Sequence, residues 1–271
     1  MKALTFTLRA QPEERLDLSA LIPDRLDGMS VAEIAKLRIG TSRRPALVGD
    51  IFKIRGENRS HIIFDGGSRR FDRVGAGMSG GMLFVAGDAG AQAGRRMSGG
   101  MLVIEDNCGP HAGSGMAGGR LEILGNSGDY LAGPLAGEML GMEGGVLIVR
   151  GKAGHYAGDR MRRGVLAILK GCGDYAGSRM IAGSIVVTGR VGAMPGYLMK
   201  RGSLLFDRRP ETISPTFIDC GRTDIAFSGL FDRYLIDDKI LDKPLLGRKP
   251  GKYGGDNAVL GKGEILFRMG R

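Results

Sequence analysis

The sequence predicts an all-β protein whose central part is a right-handed parallel β-helix. Three observations carry this: a methionine that recurs at every nineteenth position, a glycine fixed three places after it, and two apolar places separated by one tolerant place. Met78, Met97 and Met116 keep that interval, and so do Met142, Met161, Met180 and Met199. The one longer step, from Met116 to Met142, reads as a seven-residue insertion around Tyr130–Met139. A fixed period of about 20 residues is the mark of a solenoid.

Each unit can be read from its methionine. The third place is Gly81, Gly100, Gly119, Gly145, Gly164, Gly183 and Gly202. The fifth is Leu83, Leu102, Leu121, Leu147, Leu166, Ile185 and Leu204, and the seventh is Val85, Ile104, Ile123, Val149, Ile168, Val187 and Phe206. The eighth varies freely, from Ala86 to Arg150 to Asp207. This is the period-two pattern of a strand with one buried face. One short strand with glycine corners in each repeat leaves no room for a helix, so successive units stack as coils. Seven such coils run between Gly75 and Phe206, and at a strand spacing of about 4.8 Å they span roughly 35 Å. No collagen-like three-residue period is present, and nineteen is not a multiple of the hexapeptide of left-handed helices. The fourteenth place, Gln92, His111, Tyr130, Tyr156, Tyr175 and Met194, reads as a stacked structural column.

The ends break the period. Residues 1–55 read as a small α/β N-terminal cap, with a strand at Leu4–Leu8 and a capping-box match, Ser30 to Glu33, opening a helix to about Leu37. The β-helix domain covers 56–206, with His61–Phe64 as a degenerate first coil. Residues 207–271 read as an irregular C-terminal extension: a link marked by Pro210 and Pro215, a helical stretch Phe227–Leu241, and a Gly/Lys tail. A solenoid needs such flanks, because its last coil exposes core and unpaired backbone.

Composition removes several functional classes. With 42% apolar residues the 48 glycines do not mean disorder. No run of 18 apolar residues offers a membrane span, and Met1–Arg9 is too short for a signal-peptide core. Three scattered cysteines (Cys108, Cys172, Cys220) make neither a disulfide framework nor a zinc motif, and suit a reducing cytoplasm. Gly75–Gly80 and Gly113–Gly118 match the dinucleotide fingerprint, but both lie in the repeat register and precede a strand, so they read as structural. Cys108 and Cys172 share the small-residue eleventh place with Ala89, Ser127, Ala153 and Val191. No catalytic set can be assembled around His61, His111 or His155, and no catalytic or metal-binding residue is assigned.

The net charge of +10 is local. Between Arg150 and Arg209, twelve basic residues stand against Asp159, Asp174 and Asp207, leaving nine of the ten net charges there. They recur by coil: Arg160 and Arg179 precede their methionines, Arg162 and Arg163 follow theirs, and Lys152 and Arg190 share the tenth place. Like charges stacked along a corner repel unless an anion lies across them. A solvated basic face, a dock for an acidic protein and a stand-alone polyanion-binding module all remain open readings.

The spacing Gly-x-x-Gly-x-x-x-Gly at Gly87/Gly90/Gly94, Gly151/Gly154/Gly158 and Gly189/Gly192/Gly196 resembles the C-terminal domain of the large glutamate synthase subunit. With the opening Lys2–Leu8 strand, the Ser30–Leu37 helix and Leu47-Val48-Gly49-Asp50, it is more similar to the C subunit of formylmethanofuran dehydrogenase and of its bacterial relative, the formyltransferase/hydrolase complex. The resemblance covers most of the chain and is weakest after Asp207. It implies a scaffold without catalytic residues, beside partners that pass formyl from formyl-tetrahydromethanopterin to a methanofuran-type carrier and release formate. In the dehydrogenase alternative the partners hold a molybdenum or tungsten pterin. Arginine supplies 28 of the 39 basic residues, as GC-rich bacterial coding gives, which favours the hydrolase complex.

The resemblance further implies that this chain alone holds no cofactor, that the carrier lies at subunit interfaces, and that neither nucleic acid nor membrane is a partner. Because such carriers bear glutamyl side chains, Lys152, Arg160, Arg162, Arg163, Arg179 and Arg190 are the candidate stripe for an acidic carrier tail. Reversing Arg160, Arg163 and Arg179 to Glu is then expected to weaken carrier binding and spare assembly. Two further expectations concern facing. Leu121→Asp should unfold the domain while Glu122→Lys is tolerated. The outward sixth place, Phe84, Val103, Glu122, Ile148, Ala167, Val186 and Leu205, should be covered by a flank or by another subunit.

Overall fold

The structure is a computed structural model that describes residues 2–41 and 46–270. The N-terminal elements are β1 (Ala3–Leu8), β2 (Leu16–Asp17), α1 (Pro23–Leu26), α2 (Val31–Ala35), α3 (Val48–Ile51), β3 (Phe52–Arg55), β4 (Asn58–Asp65) and β5 (Phe71–Asp72). The repeat supplies β6 (Met82–Ala86), β7 (Met101–Ile104), β8 (Arg120–Ile123), β9 (Val146–Val149), β10 (Val165–Ile168), β11 (Ser184–Val187) and β12 (Arg201–Phe206). After it come β13 (Ile218–Arg222), α4 (Ala226–Asp237), β14 (Gly251–Gly255) and β15 (Lys262–Phe267).

The protein is mostly β, organised on one 13-stranded sheet whose order is β13, β14, β15, β12, then down through β6 to β4, β1 and β3. From β1 and β4 through β6–β12 to β15 the neighbours are parallel; β3, β13 and β14 add antiparallel strands at the two ends. The register is that of the repeat. Leu83, Leu102, Leu121, Leu147, Leu166, Ile185 and Leu204 stand opposite one another, strand by strand, and all are fully buried. A second ladder of single parallel bridges joins the eleventh places, Ala89 to Cys108, Ser127, Ala153, Cys172 and Val191.

The coupling of methionine to glycine has a packing cause. All seven repeat methionines are fully buried. Each Cε methyl from Met97 to Met180 lies under the third-place glycine of the following unit, where a Cβ would come within 2.7 to 3.2 Å of it. Those glycines also take positive φ, from 77° at Gly119 to 100° at Gly202, so a side chain there meets both a methyl group and a disfavoured backbone. The fourteenth place turns a corner as well. Gln92, His111, Tyr130, Tyr156, Tyr175 and Met194 have φ between 54° and 63°. The rings of His111, Tyr130, Tyr156 and Tyr175 stack 4.9 to 5.1 Å apart and nearly parallel, the offset arrangement that contributes beyond area burial.

The ends hold more strand than the sequence suggests. Ile62 and Phe64 of β4 pair with Leu83 and Val85 in the repeat register, so the degenerate first unit is a true layer. Leu4 and Phe6 of β1 add another, closed by a cluster of Phe6, Phe52, Phe64 and Phe71. The capping box forms, Ser30 Oγ accepting from the Glu33 N–H and the Glu33 carboxylate from the Ser30 N–H. The C-terminal flank is not irregular, which corrects the sequence reading: β15 pairs with β12, placing Gly263, Ile265 and Phe267 opposite Gly202, Leu204 and Phe206. It is one more layer in register, although β13, α4 and β14 all intervene along the chain.

The chain's own tail covers half of the outward face. Ile148, Ala167, Val186, Leu205 and Leu266 are buried against Leu235 of α4 and Ile240, Leu245 and Leu246 beyond it. The buried Asp232 carboxylate fixes that segment by accepting the N–H groups of Leu245 (2.8 Å), Leu246 (3.1 Å) and Gly247 (2.9 Å). Phe84 and Val103, further along the same column, are only half-buried. Glu122 between the two halves is not the tolerant surface position that alternation suggests. It is buried, with Arg150 at 2.7 Å and Arg120 at 3.6 Å. Arg120 and Arg150 also hold Asp238 and the Lys239 and Ile240 carbonyls of the tail. Glu122→Lys would set three cations together, so tolerance is not expected.

Candidate functional site

The six basic residues singled out by spacing fall into separate surroundings. Lys152 and Arg190 line a groove of about 530 Å³, together with Lys170, Asp174, Glu211 and Thr212; none of the other four lines it. Its floor is the eleventh-place ladder, Ala153, Cys172 and Val191, whose small side chains keep the surface concave. The groove begins where a side-chain ladder stops. At the tenth place Asp88 accepts the Asn107 N–H (3.0 Å), Asn107 that of Asn126 (3.0 Å), and Asn126 that of Lys152 (2.8 Å). From Lys152 on, the column reads Lys152, Gly171, Arg190, and acceptors give way to cations. Lys152 and Lys170 form no ion pair among the described residues, and Arg190 meets Glu211 at 3.0 Å with both side chains largely in water. An exposed pair of that kind contributes little. Lys170, Glu211 and Thr212 escape a column reading because they recur in no column, whereas Asp174 shares the thirteenth place with Asp129 and His155.

Of the other four, only Arg160 touches the insertion. Arg179 is committed to structure: its guanidinium grips the buried Asp159 carboxylate through two bonds of 2.9 and 2.7 Å. Reversing it would strand a buried carboxylate, so the triple reversal of Arg160, Arg163 and Arg179 tests folding before it tests binding. Arg160 donates to the Glu138 carbonyl at 2.9 Å. Arg162 reaches Glu143 at 3.5 Å and Arg163 has no ion pair among the described residues; both are exposed. Glu138 itself receives Arg95 (2.7 Å), Arg96 (2.9 Å) and the Leu135 N–H (3.1 Å). Partial burial works to raise its carboxyl, but the Leu135 N–H and the two arginines outweigh that and hold it below the ordinary carboxylate range.

The Cys108 thiol is buried and the Cys172 thiol half-buried in the groove floor. Burial pushes the Cys108 and Cys172 thiols up to about 12, so neither supplies a thiolate at neutral pH. His155 has Asp174 Oδ2 3.4 Å from its Nδ1, a pairing not drawn from the sequence although the two stand one repeat apart in the same column. That nitrogen accepts the Asp174 N–H at 3.0 Å, in a thirteenth-place ladder where Asp129 accepts from His155 and Asp174 from Ala193. The two dinucleotide-like stretches run into β6 and β8, with no helix N-terminus to receive a phosphate. Among the described residues no group of three or more His, Cys, Asp or Glu is placed to hold a metal ion, and no helix is long and apolar enough to cross a membrane.

Comparison with known proteins places this architecture. A scan against models of protein families finds no match. The chain is 42% identical over 262 residues to the C subunit of the formyltransferase/hydrolase complex of Methylorubrum extorquens, covering 97% of this chain and 98% of that one. The crystal structure of that organism's FhcABCD complex with methylofuran contains a chain that superimposes with a TM-score of 0.93, covering 98% of this chain and 100% of its own. Shorter matches reach the C subunit of tungsten-containing formylmethanofuran dehydrogenase 2. They are 32% identical over 99 residues in both Methanothermobacter thermautotrophicus and Methanothermobacter marburgensis, spanning 35% of this chain and 37% of each relative. End-to-end similarity in sequence and backbone means that the chain belongs to the family of C subunits of formyltransferase/hydrolase complexes.

Proposed function

We propose that this chain is the non-catalytic scaffold subunit of a formyltransferase/hydrolase complex, whose other subunits move formyl from a tetrahydromethanopterin carrier to a methanofuran-type carrier and release formate. The observation that carries this is the full-length match at 42% identity to a subunit of such a complex. The dehydrogenase matches span about a third of the chain, which favours the hydrolytic assembly over the redox one. In this reading the stacked repeats are a right-handed parallel β-helix of seven coils from Gly75 to Phe206, within a domain of 56–206. Residues 1–55 cap one end, and 207–271 extend the other and fold back over the sheet. Three free cysteines, two of them with thiols raised by burial, suit a cytoplasmic setting.

The carrier enters through the groove. Lys152, Lys170 and Arg190 put three cations on one concave surface against Asp174 and Glu211, and its floor is backbone and small side chains. An acidic, extended carrier tail fits that surface between partner active sites, steered by charge more than tightly held. The lining of the groove supports Lys152 and Arg190 in this role; Arg160 belongs with the insertion, Arg179 with Asp159, and Arg162 and Arg163 lie outside the groove.

Purifying the chain untagged with its co-expressed neighbours tests the assignment. A formyltransferase subunit and a metal-dependent hydrolase subunit should accompany it; a pterin-containing redox subunit, or no partner, contradicts it. Within the purified complex, Lys152→Glu/Lys170→Glu/Arg190→Glu should weaken carrier binding about tenfold at low salt and flatten its salt dependence. Subunit composition should be unchanged.

A further inference from the structure

The extra residues of the Met116 unit do not widen the stack. Their base is buried at Leu131, Ala132, Gly133 and Pro134, and their tip carries Met139, 72% exposed. Among the described residues no other large apolar side chain is as exposed; Leu230 follows at 67%. This tip is clamped from both neighbouring units. Arg95 and Arg96 hold the Glu138 carboxylate from one side, and Arg160 holds the Glu138 carbonyl from the other. The return leg is fixed by the Gly141 N–H on the Arg160 carbonyl (3.0 Å) and the Met142 N–H on that of Ala132 (2.7 Å). Arg160 Nη1 also lies 3.9 Å from Met139 Sδ.

Cations meet the tip from both sides, Arg96 on the Glu138 carboxylate and Arg160 beside Met139 Sδ. The Arg96 side chain is 68% exposed and, among the described residues, has one ion-pair partner, Glu138. Arg162 and Arg163, two and three residues after Arg160, are exposed. The geometry points to the inserted loop that ends at Met139 as a docking knob: Met139 seats in an apolar socket on a catalytic subunit, with carboxylates on the socket rim facing Arg96, Arg162 and Arg163. This rests on the scaffold reading and names the contact through which the scaffold holds a partner. A loop already fixed in its bound shape gives up little conformational freedom on association. An apolar anchor ringed by charge is the usual anatomy of an interface hot spot, and the ring steers the encounter. A nucleic acid or other polyanion would use the arginines and leave the rigid, exposed Met139 without a contact.

The experiment is co-purification of the complex with the wild-type chain and with Met139→Asp, which touches no buried group and should leave the melting curve of the isolated chain unchanged. The knob predicts at least about tenfold weaker association of the partner subunit, restored by Met139→Leu. Arg163→Glu should weaken association mainly at low salt. Wild-type retention of partners with equal retention by Met139→Asp would overturn the knob while leaving the scaffold assignment standing. A wild-type chain that retains no partner would overturn both. An isolated chain that dimerises, and that Met139→Asp makes monomeric, would also overturn the knob, since the socket would then lie on a second copy.

Discussion

The two columns of the central sheet behave differently along its length. The inward column, Leu83 to Leu204, keeps its chemistry and its complete burial through every unit, and Leu4, Ile62 and Ile265 continue it at both ends. The outward column changes halfway. Ile148, Ala167, Val186 and Leu205 lie under α4 and the leucines that follow, Glu122 is locked between two arginines, and Phe84 and Val103 are left half-covered. The inward face is dictated by the repeat itself, because each side chain must match the one above and below it. The outward face is dictated by whatever lies on it, and that differs from one end to the other.

The largest break in this comparison is Leu121→Asp, which puts an unpaired charge into the inward column. It should cost several kcal/mol and leave no cooperative melting transition by circular dichroism. Glu122→Lys, one residue away on the other face, should cost about 3 kcal/mol. It should loosen the tail before the sheet, so protection of α4 amides from hydrogen exchange should fall first. A variant that keeps full α4 protection would show that the Arg120–Glu122–Arg150 cluster does not anchor the tail. Tyr156→Ala removes two stacked pairs and should cost about 1 to 2 kcal/mol, while Tyr156→Phe keeps the stacking and should melt like wild type. A large loss in Tyr156→Phe would assign the column to hydroxyl bonding.

The smallest expected effect is with pH. The Glu138 carboxyl titrates lower in the folded chain than in the unfolded one. Its contribution is therefore complete above the ordinary carboxylate value and is lost as pH falls through the lowered folded value. Melting temperatures followed from neutral pH into that range should converge for wild type and Glu138→Gln. A gap that widens on acidification would reverse the sign.

Much of the fold is legible from residues alone. Methionine spacing locates β6 to β12, and the fifth and seventh places identify the buried face, because the stacking that builds the structure also forces the repetition. The stacked Tyr column can be read in the same way; the helical stretch Phe227–Leu241 is found as α4, which ends four residues earlier, at Asp237. What escapes are layers that keep the shape of the repeat without its markers. Gly263, Ile265 and Phe267 complete β15 in register, but no methionine stands at the matching place before them and a helix and two strands separate them from β12. Glu122 misleads because alternation says which way a side chain points and nothing about what is folded over it. The basic residues are visible as a charge excess but not as a site. Columns group Arg160 with Arg179, whereas the fold commits Arg179 to Asp159 and turns Arg160 to the Glu138 carbonyl.

The central claim, that this chain organises catalysis without performing it, is tested most directly by assaying formyl transfer and formate release in partner subunits reconstituted with and without it. The chain alone should show neither activity, and adding it to the partners should restore both steps together with stable assembly. Turnover by the isolated chain, or full activity of the partners in its absence, would contradict the account.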